Sequence, residues 1–336
     1  MEKQQRILTG ITTSGIPHLG NLVGAILPAI ESSKHKNTSS FLFLADYHSL
    51  IKNTDSELTH RSSFEIAACW LACGLDPKEV IFYRQSDVPH IFELAWILGC
   101  LTSKGLLNRA HAYKAAIADN EQNSNTDIDK GITMGLFNYP ILMAADILMF
   151  NADIVPVGQD QKQHIEMARD IALKFNHHYE DLLTPPEAKI SDITGILPGL
   201  DGRKMSKSYN NTIPIFADEK HLKKTVMKIQ TNSLEPREPK DSATCNVFSI
   251  YKAIASDIEV KDFQKRYDDG ISWGDAKTTL YEKLNEFLSP YKKEYEKIIT
   301  DRSYVESVLR DGSNKALEES SPLIKKIRRS VGIRGF

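Results

Sequence analysis

The stretch Arg6–Ile30 reads RILTGITTSGIPHLGNLVGAILPAI. Its first six residues, Arg6–Ile11, form a short β-type run that predicts a buried first strand. The turn-rich residues Thr12–Pro17 predict a loop, and from Leu22 onward apolar residues recur with the period of a helix. A loop that enters a helix N-terminus presents unpaired N–H groups and is a ready anion site. Pro28 lies inside this helix and is expected to kink it.

Three more apolar runs predict strands, at Phe41–Ala45, Val80–Tyr83 and Ile154–Val157. Helical periodicity occupies the segments between them. Alternating strands and helices predict an α/β fold with a Rossmann-like, doubly wound parallel sheet. The polar residues Asp119–Asp129 predict an exposed loop.

After Tyr209 the β-type runs largely stop and helical patterns take over. We expect a sheet-containing catalytic domain over residues 1–212 and a smaller all-helical domain over 213–336. The predicted helices of the second domain are Lys220–Gln230, Ser249–Ala255, Lys261–Tyr267, Trp273–Leu288 and Tyr291–Leu309, with an ordered loop or linker at Thr231–Ala243.

Composition limits the class of protein. The chain has 336 residues, 41% apolar and 26% charged, and a net charge of −2, which argues against indiscriminate nucleic-acid binding but allows a local basic patch. From Ser320 onward there are basic residues and no acid. This tail is either a solubilising terminus or a contact for a nucleic-acid backbone. Its basic residues are Lys325, Lys326, Arg328, Arg329 and Arg334.

The sequence predicts a cytoplasmic protein. It contains no run of 18 apolar residues, so no membrane span is expected, and its N-terminus lacks the apolar region of a secretory signal. The four cysteines include no C-x-x-C pair, so we expect core thiols in a reducing compartment rather than metal ligands.

A second candidate phosphate site is the stretch Leu200–Tyr209, which reads LDGRKMSKSY. Lys204 and Lys207 lie three residues apart, two serines alternate with them, and Met205 is the only large apolar residue between the ends. We expect a mobile surface loop whose ammonium and hydroxyl groups suit a polyphosphate. A solvated basic loop is the alternative, and for a lone K-x-x-K it is the more common one.

Taken together, two segments resemble the signature motifs of class I aminoacyl-tRNA synthetases. Pro17–Asn21 is similar to the H-I-G-H motif, and Lys204–Ser208 matches the K-M-S-K-S motif letter for letter. Between them, Met143–Leu148 (MAADIL) and Pro156–His164 (PVGQDQKQH) resemble the tryptophanyl-tRNA synthetase family. The resemblance runs from about Arg6 to the C-terminal helices.

The tyrosyl family is the main alternative. Its members place a tyrosine on the first strand where this chain has Leu8, which cannot hydrogen-bond a phenol. Asp146 lies in an otherwise apolar helix, where a buried carboxylate needs a donor such as an indole N–H; an internal cap or salt bridge is the other interpretation. A stand-alone nucleotidyltransferase and a non-enzymatic RNA-binding or regulatory paralogue are further alternatives.

Two departures from the tryptophanyl pattern stand out. The chain has Thr12-Thr13 where that family often has Gln-Pro, and His18 where it often has Thr. The ATP contacts of the two threonines therefore stay open.

The resemblance implies ATP with Mg²⁺, L-tryptophan and tRNA(Trp) as the molecules bound, no metal ligand from the protein, and a homodimer with its interface around residues 101–150. It assigns catalysis to His18, Lys204 and Lys207. The implied ATP-binding residues are Thr12, Thr13, Ser14, Gly20, Asn21, Gly158, Gln159, Asp160, Ile196, Lys204, Met205, Ser206, Lys207 and Ser208. The implied tryptophan-binding residues are Leu8, His48, Tyr139, Met143, Asp146 and Gln161.

Overall fold

A five-stranded parallel sheet forms the centre of the protein. The structure is a computed structural model and describes residues 4–13, 15–123, 127–190 and 197–335. The strands are β1 (Gln5–Thr12), β2 (Thr38–Ala45), β3 (Ile81–Arg84), β4 (Ile154–Val157) and β5 (Glu187–Ile190), in the spatial order β3-β2-β1-β4-β5. All adjacent pairs are parallel. The predicted α/β, doubly wound architecture is confirmed.

This strand order creates a crevice at one edge of the sheet. The chain builds outward from β1 to β3 and then returns to the other side of β1 with β4. Because the connections on the two sides leave in opposite directions, the carboxyl ends of β1 and β4 flank a switch point where open α/β sheets bind ligands. In the register of β1 against β2, Leu8 pairs with Phe41 and Thr12 with Ala45.

The first strand leads into a helical segment with three parts. It begins as α1 (Leu19–Asn21), continues as a π-helical turn over Leu22–Ile26 and ends as α2 (Leu27–Ser33). Pro28 falls near the start of α2, just after the wide π turn. The expected kink at this proline is thus taken up by a change of helix type, which removes the need for its missing N–H.

The remaining helices of the sheet-containing part pack on both faces of the sheet. They are α3 (Asp46–Ser49), α4 (Ser56–Ala72), α5 (Pro89–Leu101), α6 (Lys104–Leu107), α7 (His111–Gln122), α8 (Met134–Leu148) and α9 (Lys162–His178), with 3₁₀ turns at Gln85–Asp87 and Gln159–Gln161. The predicted start of the exposed loop at Asp119 is too early, because α7 continues to Gln122.

The C-terminal third is helical, as predicted. It contains a 3₁₀ turn at Lys207–Tyr209 and the helices α10 (Glu219–Met227), α11 (Asn246–Lys252), α12 (Asp257–Asp268), α13 (Trp273–Ile298) and α14 (Arg302–Ser330). The prediction of a separate helix over Tyr291–Leu309 is wrong. Helix α13 continues through Pro290, because the loss of one hydrogen bond is small beside the packing of a 26-residue amphipathic helix.

Two buried clusters lie on opposite faces of the sheet. Alternate residues of β2 point to opposite faces, so Leu42 and Leu44 join one cluster while Phe41 and Phe43 join the other. The first cluster contains residues of α4, α10, α11 and α13, and the second contains residues of α5, α8 and α9. The helical part therefore shares a core with the sheet.

Helix α14 returns to the sheet and lies against β3. A Cβ on Gly312 would overlap the carbonyl oxygen of Phe82, so the glycine permits this close approach. Arg84 at the end of β3 donates two hydrogen bonds to Glu306 of α14, at 2.7 and 3.0 Å. Further along the helix, Arg328 makes a bidentate contact with Glu93 of α5.

No helix in the described part of the chain combines the length and apolar character needed to cross a bilayer. All four cysteines are free thiols. Cys69, Cys73 and Cys245 are buried as expected, but Cys100 is exposed, so the expectation of core thiols fails at that position.

Candidate active site

The loop after β1 is built around a histidine that caps the following helix. The His18 backbone N–H donates to Asn21 Oδ1 at 3.1 Å, and the Asn21 N–H donates to His18 Nδ1 at 3.4 Å. Because Nδ1 accepts, the neutral ring carries its proton on Nε2. Burial, together with the Lys207 ammonium, lowers the pKa of His18 to about 4. The ring is therefore neutral at pH 7 and can donate one hydrogen bond.

Two neighbours of this loop differ in their surroundings. Thr12 is exposed at the end of β1, whereas Thr13 is buried and its hydroxyl donates to Ser49 Oγ at 3.2 Å. A Cβ on Gly20 would lie 3.1 Å from the His18 ring, so glycine leaves the ring in place. Ser14 lies outside the described residues.

The second loop is folded around a buried asparagine. Asn211 Nδ2 donates to Asp201 Oδ1 at 2.7 Å and to the Lys204 carbonyl at 3.1 Å, while its Oδ1 accepts from the Ser206 N–H at 2.8 Å. Met205 is only 4% exposed and belongs to the core beneath the loop. The expectation of a surface loop therefore fails at Met205, which anchors a loop whose lysines and serines stay near the surface.

The two loops meet, although some 190 residues separate them in sequence. Lys207 Nζ donates to the Gly15 carbonyl at 2.7 Å, and the Leu19 N–H donates to the Ile213 carbonyl at 3.0 Å. Burial of its ammonium lowers the pKa of Lys207. His18, Lys207 and the first turn of the helix thus lie around one space beyond the carboxyl end of β1.

A buried carboxylate lies on the other side of this edge. Asp146 of α8 is 1% exposed. His48 Nε2 lies 2.9 Å from its Oδ2, and Gln85 Nε2 donates to Oδ1 at 2.8 Å and to Oδ2 at 3.0 Å. Burial raises the pKa of Asp146, and the hydrogen bonds from His48 and Gln85 act in the opposite direction.

Gln85 is a site residue that the sequence prediction missed. It is fully buried just after β3, and its Oε1 accepts the Tyr47 N–H at 3.2 Å. Asp46-Tyr47-His48 follow the carboxyl end of β2, a position at which open α/β sheets bind ligands. The same rule, applied to the polar residue that follows the third strand, would have found Gln85.

Tyr83, at the same end of β3, was also missed. Its ring stacks on Phe43 with a centroid distance of 5.6 Å, and its buried hydroxyl has no hydrogen-bond partner among the described residues. Burial and the neighbouring Asp146 raise the pKa of Tyr83 well above its usual range. The tyrosine therefore stays neutral beneath the carboxylate.

A third polar group joins α8 to α9. Tyr139 hydroxyl and His164 Nε2 are 2.5 Å apart, and His164 Nδ1 lies 2.8 Å from Gln161 Oε1. Since an amide oxygen only accepts, Nδ1 carries the proton and Nε2 accepts from the tyrosine. His164, 5% exposed, is a further residue absent from the predicted site. It orients Tyr139 and Gln161, which were both predicted.

The other predicted residues lie at the same edge or beneath it. Leu8 is 2% exposed in the cluster beside Phe41, and Met143 is half-buried one turn before Asp146. Gly158 and Gln159 follow the carboxyl end of β4. Ser208 is exposed and donates its N–H to Ser206 Oγ at 3.3 Å. The predicted ATP contacts Ile196 and the Asp160 side chain lie outside what the structure describes.

The chain resembles one protein family and several known proteins over most of its length. Residues 1–289 match the family described as tRNA synthetases class I (W and Y). The tryptophan–tRNA ligase of Neisseria meningitidis is 54% identical over 331 residues, 98% of both chains, and that of Xanthomonas campestris is 53% identical over 99% of this chain and 78% of its own. The tryptophanyl-tRNA synthetase of Campylobacter jejuni, solved with ADP and tryptophan, superposes with a TM-score of 0.87 at 40% identity and covers 98% of this chain and 100% of its own.

The family match extends over most of the chain, and the curated relatives match it end to end at more than half identity. The chain therefore belongs to the W and Y family of class I tRNA synthetases, on its tryptophanyl branch.

Proposed function

We infer that this chain is a tryptophan–tRNA ligase. It activates L-tryptophan with ATP to tryptophanyl-adenylate and pyrophosphate, and then transfers the tryptophan to the 3′ end of tRNA(Trp). The observation that carries this inference is the full-length identity of 54% to a tryptophan–tRNA ligase. The tyrosine alternative is not favoured, since Leu8 offers no group for a phenol and the matched relatives are tryptophan enzymes.

In this proposal the two meeting loops hold the phosphates of ATP. The tryptophan carboxylate attacks the α-phosphorus in line and pyrophosphate leaves, so the protein supplies position and positive charge rather than a covalent nucleophile. His18 and the helix start at Gly20-Asn21 take the α-phosphate side. Lys204 and Lys207 take the β- and γ-phosphates. The distance of 2.7 Å from Lys207 Nζ to the Gly15 carbonyl supports this assignment, because it places the ammonium over the first loop.

The rest of the nucleotide would lie along the carboxyl ends of β1 and β4. We assign Thr12, Thr13, Ser14, Gly158, Gln159, Asp160 and Ile196 to the ribose and adenine, and Met205, Ser206 and Ser208 to the phosphate loop. Thr13 contributes through its backbone or by holding the loop, since its hydroxyl already donates to Ser49. The loop Asp201–Asn211 is expected to close over ATP when the nucleotide binds.

Mg²⁺ would enter with ATP. Apart from Asp201, the polar side chains of the two phosphate loops are ammonium, guanidinium, imidazole, amide and hydroxyl groups, and the Asp201 carboxylate is already bonded to Asn211 and Arg203. This donor set suits phosphate oxygens rather than a cation. The ion would be held by phosphate oxygens and water, where it offsets the negative charge of the phosphates.

We place the tryptophan side chain beside Asp146. The indole N–H can only donate a hydrogen bond, and an ionised carboxylate can only accept one. Tyr139 precedes Asp146 by seven residues on α8, which puts the two on one face of the helix. We assign Tyr139 and Gln161, both hydrogen-bonded to His164, to the amino group of the substrate. His48, Met143 and Leu8 complete the proposed pocket.

The tRNA assignment follows the division of the chain. We propose residues 1–212 as the catalytic domain and 213–336 as the anticodon-binding domain. Lys325, Lys326, Arg329 and Arg334 at the C-terminal end are candidates for contact with the tRNA backbone. Arg328 is less available, because it is paired with Glu93. Charging of tRNA places the protein in the cytoplasm in this proposal.

A homodimer is proposed from an exposed apolar surface. Trp96 of α5 is 76% exposed and Met134 of α8 is 68% exposed, and both line an open cleft of about 870 Å³. Phe92, Phe137 and Ile141 line the same cleft. Large apolar side chains grouped on a surface are typical of a protein interface. The cleft lies mostly within the predicted interface region, residues 101–150, and extends it to α5.

Charging of tRNA tests the proposed function directly. The purified protein is incubated with ATP, unfractionated tRNA and radiolabelled tryptophan or tyrosine, and acid-precipitable label is counted. We expect label from tryptophan alone. Label from tyrosine, or none from either, would refute the assignment.

A further inference from the structure

Gln85 is a fully buried amide whose orientation is fixed by its partners. The backbone N–H of Tyr47 can only donate, so the end of the amide that meets it at 3.2 Å must be Oε1. The amino end then faces Asp146, and an ionised carboxylate can only accept hydrogen bonds. A flipped amide would place donor against donor and acceptor against acceptor, so the arrangement is determined by chemistry.

The Gln85 amide therefore affects both the orientation and the ionisation of the Asp146 carboxylate. Gln85 Nε2 donates to both oxygens of Asp146, at 2.8 and 3.0 Å. The contact of Gln85 with both oxygens, together with the off-axis contact of His48 Nε2 with Oδ2 at 2.9 Å, fixes the plane of the carboxylate. It also favours the ionised form, since a protonated carboxyl would offer it less acceptor capacity.

The two oxygens of Asp146 end up in different environments. Among the described residues, Oδ2 receives both Gln85 and His48, while Oδ1 receives Gln85 only. Oδ1 thus retains an acceptor position for one more N–H. The network selects which oxygen meets the substrate and in which direction.

We propose that Gln85 is a positioning residue for substrate selection: it holds Asp146 as an ionised acceptor with Oδ1 directed to the indole N–H, and it does not touch the substrate itself. This inference rests on the proposed function, because it takes tryptophan as the substrate. A site built to pair a buried polar group discriminates strongly against an analogue that lacks the partner. Gln85 would therefore determine how well the enzyme detects the indole nitrogen.

The test compares tryptophan with β-(3-benzothienyl)alanine, in which sulfur replaces the indole N–H. Both are assayed by ATP–pyrophosphate exchange with the full-length wild type and with Gln85→Met, which keeps the side-chain length but removes both amide groups. We expect the wild type to prefer tryptophan in kcat/KM. Gln85→Met should lose about tenfold or more of that preference, through a higher KM for tryptophan, with kcat/KM for the analogue within about threefold of wild type.

A second variant keeps the proposal testable if Gln85→Met is unstable. Gln85→Glu retains an acceptor for the Tyr47 N–H but can donate to Asp146 only through a shared proton. Its preference for tryptophan over the analogue should fall as pH rises, whereas the wild-type preference stays flat. Both substrates carry the same amino and carboxyl groups, so their titration cancels in the ratio.

Asn176→Leu is the control for loss of a hydrogen-bonded amide elsewhere in the fold. Asn176 is half-buried near the end of α9, and its side chain donates to the Leu183 carbonyl at 2.7 Å and accepts from the Leu182 and Leu183 N–H groups rather than contacting Asp146. This variant should lose stability and keep the preference for tryptophan. An equal loss of both substrates in Gln85→Met, an unchanged preference, or a flat pH profile in Gln85→Glu would each overturn the proposal. A wild type without tryptophan-dependent exchange would instead overturn the proposed function on which it rests.

Discussion

At the scale of single residues, the ionisable side chain of Asp146 is costly to bury. A carboxylate that is 1% exposed loses nearly all of its hydration, and this is tolerated only where hydrogen bonds replace it. His48 and Gln85 supply those bonds. An N–H group of the substrate would add a further hydrogen bond to this buried carboxylate and so strengthen substrate binding.

Asp146→Ala is expected to lose most tryptophan-dependent ATP–pyrophosphate exchange. Removing a charge-assisted hydrogen bond of about 1.5–3 kcal/mol should lower kcat/KM for tryptophan by about tenfold to a hundredfold. The circular dichroism spectrum should keep its native form. The exposed Asp311→Ala on α14 is the control and should match wild type. Activity of Asp146→Ala equal to that control would remove Asp146 from the pocket.

His18 gives a pH dependence with a defined sign. Its folded-state pKa is lowered from 6.5 to about 4, so the unfolded chain binds a proton at a higher pH than the folded chain. The contribution of the neutral His18 to the unfolding free energy is fully present above pH 6.5 and is lost as pH falls toward 4. His18→Asn keeps a capping side chain and removes the titration. Its unfolding free energy in urea should therefore fall less than that of wild type between pH 6.5 and 4; an identical decrease would contradict the burial of a neutral His18.

At the scale of elements, the contact between α14 and β3 depends on one missing side chain. Gly312 lies over the backbone of Phe82, and Arg84–Glu306 closes the same contact. Gly312→Ala should lower the unfolding free energy by about 3 kcal/mol, because the methyl group must displace the helix or the strand. Gly274→Ala in α13 is the control, because there is room for a methyl group at that position. Its unfolding free energy should stay at the wild-type value or rise slightly. Equal unfolding midpoints for the two variants would refute the close approach of α14.

The sequence predicts elements well where they are buried on both faces or strongly periodic. The run Phe41–Ala45 lies in β2, and the apolar residues 136–150 lie in and just after α8. Strand β5 was missed because Glu187–Ile190 is a short edge strand with charged side chains, and it becomes a strand only by pairing with β4.

The sequence predicts those residues of the candidate site that belong to a motif or lie in a recognisable sequence context. His18, Lys204 and Lys207 follow from the two loops, and Asp146 from its apolar surroundings. Gln85 and His164 could not be found by motif, since each acts through another side chain and the contacts depend on tertiary placement. The burial of Met205 is likewise a property of how the loop packs on the core.

At the scale of the whole molecule, the exposed cleft on α5 and α8 predicts an association between two copies. Trp96→Glu places a charge on that surface and should convert a dimer to a monomer in sedimentation velocity at micromolar concentration. Ile258→Glu is the control, since Ile258 is 81% exposed on α12 outside the cleft. A monomeric wild type, or a Trp96→Glu protein with the wild-type mass, would refute the proposed interface.

In our proposal the edge of the sheet joins a phosphate site to a pocket that selects tryptophan. ATP–pyrophosphate exchange with the purified wild type, measured for each standard amino acid in turn, tests both halves together. We expect exchange that depends on tryptophan and is at background for tyrosine and phenylalanine. Exchange with tyrosine at a comparable rate, or exchange with no amino acid at all, would contradict it.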